Sequence, residues 1–205
     1  MTVSGIVYNY TNLIMNKILK VGFDMDGVIL KNPIRFIRPI AKIMKPVKAL
    51  VFKQNRESFY FPSSPFEKWL FSLLHLSSFM VDSGISEIED LVKSNKIEAY
   101  IVSGRYSFLK GGFDYWVKKS NSKNIFKGCF QNDKDLQPNL FKANMIKKLG
   151  LDIYVEDNWD IVNKLKIQNP KVKVLWITNW LDKFIAYPYK FSSLKKSCQF
   201  LKRHS

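Results

Sequence analysis

Histidine and cysteine are scarce in this 205-residue chain, which has two of each: His75, His204, Cys129 and Cys198. With so few histidines, a metal site built on imidazoles or a Ser–His–Asp triad is nearly excluded, and a metal would have to be held by carboxylates. Carboxylate oxygens favour a hard cation such as Mg²⁺. The two cysteines lie far apart and lack metal-ligand spacing, so we expect a reduced, cytoplasmic setting without a disulfide framework.

Long apolar runs are also absent. The longest notable uncharged run covers residues 69–81 and has 13 residues, against about 20 for a membrane-spanning helix. We expect this run to form a buried helix. The amino terminus has neither an early basic region nor a small-residue cleavage site, so it does not favour a signal peptide.

Acidic residues are few as well. The 17 Asp and Glu residues stand against 33 Lys and Arg, which gives a formal net charge of +16. Such a balance favours polyanionic partners, namely nucleic acid, a phosphorylated ligand or an anionic membrane surface. A biased genome composition would give the same excess, so charge alone does not decide among them.

Strand-like apolar runs alternate with helical patterns over most of the chain. The predicted strands cover 20–24, 97–103, 124–130, 151–157 and 171–178, and the predicted helices cover 85–95, part of 107–121, 138–150 and 159–169. This alternation is typical of an α/β fold, a Rossmann-like three-layer structure with helices on both faces of a parallel sheet.

Residues 31–80 break the alternation. They predict a small, mainly helical insertion in a catalytic core made of 1–30 and 81–205. Within 34–47 the basic residues fall on one helical face and the apolar residues on the opposite one. Pro39 and Pro46 interrupt that pattern, so we expect one short or kinked helix there, or two.

Polar side chains follow three of the predicted strands. Asp24 and Asp26 end the first strand and Gly27 follows them, the tripeptide 103–105 (Ser-Gly-Arg) ends the second, and the pair Glu156–Asp157 ends another. In open parallel sheets, sites gather at the carboxyl ends of the strands. We therefore expect these groups to meet at one edge of the sheet.

Their chemistry suits phosphoryl transfer. Of two carboxylates at one strand end, one can act as a nucleophile while the other exchanges protons. Two such carboxylates repel each other, so a cation is needed, and Asp157 with Glu156 would complete its oxygen cage. Ser103, the Gly104 backbone N–H and a lysine would donate hydrogen bonds to the phosphoryl oxygens.

Three segments resemble motifs of the haloacid dehalogenase (HAD) superfamily of phosphohydrolases. FDMDGVI (23–29), AYIVSGR (99–105) and DIYVEDNWD (152–160) resemble its first, second and fourth motifs, in the same order. The motif-bearing region spans about residues 20–178, which is most of the chain.

The resemblance implies a role for each motif residue. Asp24 would attack phosphorus and form an aspartyl-phosphate. Asp26 would protonate the leaving oxygen and then deprotonate water, and its backbone carbonyl would bind Mg²⁺. Asp157 would be a direct metal ligand, and Glu156 would ligate the metal or hold a metal-bound water. Ser103 would bind the phosphoryl group, and an acid at position 26 implies phosphoryl transfer rather than dehalogenation.

Three further assignments depend on position. Lys142, expected in the first turn of the helix before the fourth motif, is our choice for the third-motif lysine. Lys147 and Lys148 lie nearer the end of the helix, and we assign them to a solvated face. Arg105 would contact substrate phosphate or pair with a nearby acid, and we favour substrate contact. Asp160 would assist the metal or sit in the first turn of a helix.

The insertion occupies the place where this superfamily has its cap. A basic cap favours a phosphomonoesterase acting on a nucleotide or a nucleic-acid phosphate end, in line with a looser similarity to polynucleotide kinase phosphatase domains and deoxyribonucleotidases. The alternative is a membrane-surface or nucleic-acid binding protein on this scaffold, or a phosphatase of lipid or other small-metabolite phosphates. The basic residues of 34–47 and of the tail after Asp182 favour that alternative.

Overall fold

The computed structural model describes residues 17–32, 58–76, 78–178, 182 and 184–205. The strands in these residues are β1 (Leu19–Phe23), β2 (Leu30–Lys31), β3 (Met80–Val81), β4 (Ile97–Ser103), β5 (Gly128–Gln131), β6 (Ile153–Glu156), β7 (Lys173–Ile177) and β8 (Lys190–Phe191). The helices are α1 (Pro65–Leu76), α2 (Ile85–Lys93), α3 (Lys110–Lys119), α4 (Ser122–Ile125), α5 (Pro138–Leu149), α6 (Trp159–Gln168) and α7 (Leu194–His204).

Six parallel strands form the central sheet, in the order β5-β4-β1-β6-β7-β8. Two hydrophobic clusters, one containing Val21 and Phe23 and the other Tyr154 and Trp176, account for the apolar strands. Strands buried on both faces read as nearly continuous apolar runs, as β1, β4 and β6 do. The predicted three-layer α/β fold is confirmed.

The helix before the fourth motif begins and ends where its sequence predicts. Pro138 lies at the first position of α5, where its missing N–H removes no helical hydrogen bond. Gly150 ends the helix with a φ of 62°, in the left-handed region that favours glycine. With the helix beginning at Pro138, Lys142 is its fifth residue and lies in the second turn rather than in the expected first turn.

Two sequence predictions are wrong in part. Residues 124 and 125 of the predicted strand 124–130 belong to the short helix α4, and pairing with β4 starts only at Gly128. Ile125 and Phe126 are buried all the same, so their hydrophobicity does not distinguish a strand from a short helix. Helix α1 covers residues 69–76 of the uncharged run, but it is not buried as expected, since Trp69 is 57% and Leu70 47% exposed. A helix that is apolar on most sides does not reveal from its sequence which face packs.

The predicted insertion is described only in part. Residues 33–57 and 77 lie outside the described residues, and with them the helix predicted within 34–47. Its described part contains α1, and its two ends pair as the antiparallel strands β2 and β3. The domain boundaries at 31 and 80 stay a prediction. None of the described helices has both the length and the apolar character needed to cross a membrane.

Candidate functional site

Adjacent parallel strands bring the three sequence motifs together. β1 lies between β4 and β6, so Asp24, Ser103 and Glu156 follow or end neighbouring strands at the same edge of the sheet. The backbone N–H of Asp24 donates to the carbonyl of Val155 at 3.0 Å, which extends the pairing of β1 with β6 to the acid itself. The predicted meeting of these strand ends is confirmed.

Gly27 turns the chain immediately after the two aspartates. Its φ of 82° lies in a region that residues with a side chain rarely adopt. The turn is closed by hydrogen bonds from Gly27 N to Leu30 O at 2.7 Å and from Leu30 N to Met25 O at 2.8 Å. This turn allows Asp24 and Asp26 to sit at the strand end while the chain leaves toward β2.

Three acids and one lysine form a buried cluster. Carboxylate oxygens of Asp24, Glu156 and Asp157 lie within 4.8 Å of one another. Lys142 Nζ lies 3.0 Å from Asp24 Oδ1 and 2.7 Å from Glu156 Oε2, and the lysine side chain is 2% exposed. The structure therefore brings Lys142, rather than the exposed Lys147, to the nucleophile candidate.

Burial sets the electrostatics of this cluster. Burial raises the pKa of Asp24 well above its usual range, and Lys142 only partly opposes this, since the neighbouring acids raise it further. Burial also raises the pKa of Glu156 against the pull of Lys142. For Lys142, burial lowers the pKa, but Asp24 and Glu156 outweigh it and raise the pKa overall. One lysine thus leaves the negative charge only partly compensated.

The donor set fits a hard divalent cation. All three acidic side chains offer oxygen, the ligand type of Mg²⁺, and nitrogen or sulfur ligands are not part of this cluster. Glu156 is already engaged on both oxygens: Oε1 accepts from the backbone N–H of Asp157 and Asn158 at 3.1 and 3.0 Å, and Oε2 accepts from Lys142. This favours Asp24 and Asp157 as direct ligands and Glu156 as a supporting acid.

The second aspartate faces a different partner. Arg105 donates from Nε to Asp26 Oδ2 and from Nη2 to Asp26 Oδ1, both at 2.7 Å, and Ser78 Oγ donates to Oδ1 at 2.6 Å. Burial alone would raise the pKa of Asp26, but the Arg105 guanidinium outweighs it and lowers the pKa well below its usual range. Of the two roles considered for Arg105, pairing with an acid is the one present; its contact with substrate stays a prediction.

Ser103 ends β4, and Gly104, the next residue, lies beside the start of α5. Ser103 is fully buried, and its Oγ accepts from the backbone N–H of Arg105 at 3.3 Å. A Cβ at Gly104 would lie 3.0 Å from Pro138 Cβ and 3.3 Å from Lys142 Cε. Glycine at this position thus lets the start of α5 approach the strand end closely enough to place Lys142.

Asp160 lies in the first turn of α6, where its backbone N–H donates to the Asn158 side chain at 3.0 Å. It is not part of the acidic cluster found among the described residues. Its first-turn position is confirmed, and its role beside the metal stays a prediction.

A cavity of about 390 Å³ opens above the cluster. Besides Asp24, Asp26 and Lys142, its lining includes side chains that we did not predict from the sequence: Phe59, Tyr60, Phe71, His75 and Tyr106. The aromatic segment SFYFP (58–62) was a visible signal for part of this wall. Ser78, 52 positions from Asp26, gave no such signal.

Structure comparison identifies the fold. The chain is similar to a HAD-superfamily hydrolase from Ehrlichia chaffeensis, with a TM-score of 0.52 and 14% identity over 90% of this chain and 96% of that one. It is also similar to a candidate β-phosphoglucomutase from Thermotoga maritima, with a TM-score of 0.56 and 12% identity over 91% and 99%. CbbY from Rhodobacter sphaeroides in complex with phosphate matches with a TM-score of 0.54 and 10% identity over 87% and 96%.

Sequence comparison adds nothing to this, since no protein-family model and no curated protein matches the chain at a significant level. The structural likeness confirms, at the level of the fold, the HAD resemblance inferred from the three motifs. The chain has the HAD-like fold.

Proposed function

We propose that this protein is a Mg²⁺-dependent phosphatase that hydrolyses a phosphomonoester through an aspartyl-phosphate on Asp24. The observation that carries the proposal is the buried cluster of Asp24, Glu156, Asp157 and Lys142 beneath an open cavity. Neighbours of the same fold that are described as a hydrolase and a sugar-phosphate mutase support phosphoryl chemistry.

Each residue has a distinct role in the proposed reaction. An Asp24 oxygen forms a bond to phosphorus as the ester P–O bond breaks, and the leaving oxygen takes a proton from Asp26. Water then attacks phosphorus of the aspartyl-phosphate and gives a proton to Asp26. The bond between Asp24 and phosphorus breaks, so that phosphate is released and the Asp24 carboxylate is restored. Lys142 and Ser103 hold the phosphoryl oxygens. Mg²⁺, held by Asp24, Asp157 and the Asp26 carbonyl, would supply positive charge to the transferring group.

The Arg105 pair bears on the order of these steps. The two hydrogen bonds from the Arg105 guanidinium keep the Asp26 carboxylate ionised, and an ionised carboxylate suits the step in which Asp26 takes a proton from water. To protonate the leaving oxygen, Asp26 has to be freed from this pair, and the incoming phosphoryl group can compete for the guanidinium because it offers the same bidentate oxygens.

The substrate that we propose is a nucleotide or a nucleic-acid phosphate end. The formal net charge of +16 supports a polyanionic ligand. The aromatic lining of the cavity supports an ester that carries a base.

Phosphate release from a panel of esters tests the reaction class. The panel contains nucleoside monophosphates, 3′- and 5′-phosphorylated oligonucleotides, sugar phosphates and a generic aryl phosphate. We expect release that stops when EDTA removes the metal and returns when Mg²⁺ is added in excess. Release that survives EDTA would exclude the metal from the mechanism, and no release from any ester would overturn the proposal. Nucleotides and oligonucleotides turned over more slowly than the aryl phosphate would overturn the substrate class.

A second candidate function is contact with an anionic membrane surface. The outer face of α1 exposes Trp69, Leu70 and Leu73 at helical spacing, at 57, 47 and 42%. An apolar helical face on a strongly basic chain is typical of interfacial binding.

Sedimentation with liposomes tests this candidate. We expect pelleting with vesicles that contain anionic lipid at low salt, less with purely zwitterionic vesicles, and a loss when Trp69 is replaced by Ser. A protein that stays in the supernatant with both kinds of vesicle at low salt would exclude the candidate. A steep salt dependence of binding to DNA or RNA would favour nucleic acid instead.

A further inference from the structure

The wall of the cavity above Asp24 is built from aromatic rings. Phe71 lies at the centre of this wall, with its ring centroid 6.5 Å from Tyr60, 6.1 Å from Tyr106 and 4.8 Å from the His75 ring. Behind it, Phe61 packs edge-on against Tyr106 at 5.0 Å. The rings form one connected surface that lines the same cavity as the nucleophile candidate.

The wall is anchored beside α5, which carries Lys142, and beside the end of β4, which carries Ser103. Gln137, directly before α5, accepts from the Phe59 backbone N–H at 2.6 Å and donates to the Phe59 carbonyl at 3.3 Å. Tyr106, which follows β4, donates from its hydroxyl to the Tyr60 carbonyl at 3.2 Å. The segment 58–61 is thereby held from two sides, so that the rings are positioned before a ligand arrives.

The two tyrosine rings of the wall are uncharged near neutral pH. Burial, the largest contribution, raises the pKa of Tyr60 and of Tyr106 to about 12 each. Both hydroxyls therefore stay neutral near pH 7. Lys142 and Arg105, the lysine and arginine among the described lining residues, are ion-paired with acids at the floor of the cavity, where the phosphoryl group of the substrate would meet them. His75 also lines the cavity and helps to lower the pKa of Asp26, so the positive groups of the described lining all act on the acids at the floor. The described lining therefore suits a phosphoryl group at the floor and an uncharged group against the aromatic rings.

Flat apolar walls recognise flat ligands. Aromatic side chains stack on nucleobases and aryl rings in offset or edge-on arrangements, and such stacking tolerates different bases because each base has a π-face. A sugar phosphate without a base would leave this wall in contact with water and gain little from it.

We propose that the cavity wall formed by Phe59, Tyr60 and Phe71, with the buried Tyr106 ring packed against Phe71, binds an uncharged aromatic ring of the substrate, so that the enzyme prefers monophosphates whose alcohol carries a nucleobase or an aryl group. This inference deepens the proposed function and rests on it, since the phosphoryl group of the same molecule reacts at Asp24. The ring-bearing part of the ester is thereby assigned to the cavity wall, apart from the reacting atoms.

Two matched pairs of esters test the inference. The first pair compares a nucleoside 5′-monophosphate with ribose 5-phosphate, which differs by the missing base. The second compares 2-phenylethyl phosphate with 2-cyclohexylethyl phosphate, which have similar leaving alcohols and differ in the flatness of the ring. We expect kcat/KM to be about ten- to a hundredfold higher for the nucleotide, in line with the stacking of one base. We also expect kcat/KM to be higher for the phenyl ester than for the cyclohexyl ester, by a smaller factor than in the first pair. Such a difference would show that a flat ring by itself favours binding to the wall.

The variant Phe71→Leu removes the central ring and keeps the site apolar. We expect the ratio of kcat/KM values within each pair to fall toward one, whatever the variant does to the absolute rate. Tyr60→Leu, in a different segment, is the second variant should Phe71→Leu fold poorly. Tyr115→Leu removes an exposed ring of α3 outside the cavity lining and should leave both ratios unchanged.

The outcomes separate the inference from the function on which it rests. If all four esters are hydrolysed and the ratios are near one in the wild type, the aromatic site is wrong while the phosphatase stands. If a preference exists but survives Phe71→Leu and Tyr60→Leu, the wall is not its cause. If no ester is hydrolysed, the phosphatase is wrong, and calorimetric titration with the nucleotide and with ribose 5-phosphate still decides the inference: equal affinity overturns it.

Discussion

Replacing Asp24 by Asn is expected to lower phosphate release by a factor of about 10³ or more, because the amide cannot form the aspartyl-phosphate. The change is nearly isosteric, so the cavity and its aromatic wall should remain. The measurement is kcat/KM for the best ester of the panel in excess Mg²⁺. Activity equal to that of the wild type would remove Asp24 as the nucleophile.

Stability measurements separate this chemical effect from misfolding. Asp24 is one of three buried acids, two of which pair with Lys142, and burial disfavours its charged form. Without metal, Asp24→Asn is therefore expected to melt at the wild-type temperature or above it. In the wild type, Mg²⁺ should raise the melting temperature, because a ligand of the native state stabilises it, and the variant should lose most of this rise. Asp114→Asn, at an exposed acid of α3, is the matched control and should change neither property.

Replacing Lys142 by Met is expected to destabilise the protein by about 3–5 kcal/mol near neutral pH, the usual cost of leaving a buried charge without its partner. Asp24 and Glu156 lose the ammonium that lies 3.0 and 2.7 Å from their oxygens. Urea unfolding in the absence of metal measures the change. Lys147→Met, in the exposed last turn of the same helix, should stay close to the wild type.

The pH dependence of this variant has a definite sign. The pKa values of Asp24 and Glu156 are already raised by burial, and the loss of Lys142 raises them further. A group whose pKa is higher in the folded protein stabilises it at low pH and loses that effect as the pH rises. The deficit of Lys142→Met should therefore be larger at about pH 8 than at about pH 5, and Mg²⁺ should reduce it at the higher pH. A deficit independent of pH would point to lost packing rather than uncompensated charge.

The motif acids were predictable because their signal is local. An apolar strand followed at once by acids, as in FDMDG and YVED, reports both the strand and its polar end within a few residues. The parallel arrangement followed from the alternation of strands and helices, and it placed these ends at one edge. Lys142 was within reach of the same reasoning because Pro138 and Gly150 mark the ends of its helix.

The pairing of Arg105 was left open for a physical reason. The tripeptide 103–105 indicates a strand end, but the acid that Arg105 binds is 79 positions away, and any of the four acids at the strand ends could have taken that role. Ser78, Tyr60 and Phe71 likewise come from the later part of the predicted insertion, far along the chain from the motif acids. The expectation that helix α1 is buried is wrong because hydrophobicity predicts that a helix packs against the protein but does not predict which of its sides does so.

By itself, then, the sequence determined the three-layer α/β fold, the acids at the strand ends and the helix that carries Lys142, since each depends on short-range pattern and on chain order. Only the tertiary structure decided the partners: Lys142 between Asp24 and Glu156, Arg105 and Ser78 on Asp26, and an aromatic wall above them. Contacts between residues distant in the chain depend on how the elements pack, and packing is settled by the shape of the whole core rather than by any one segment.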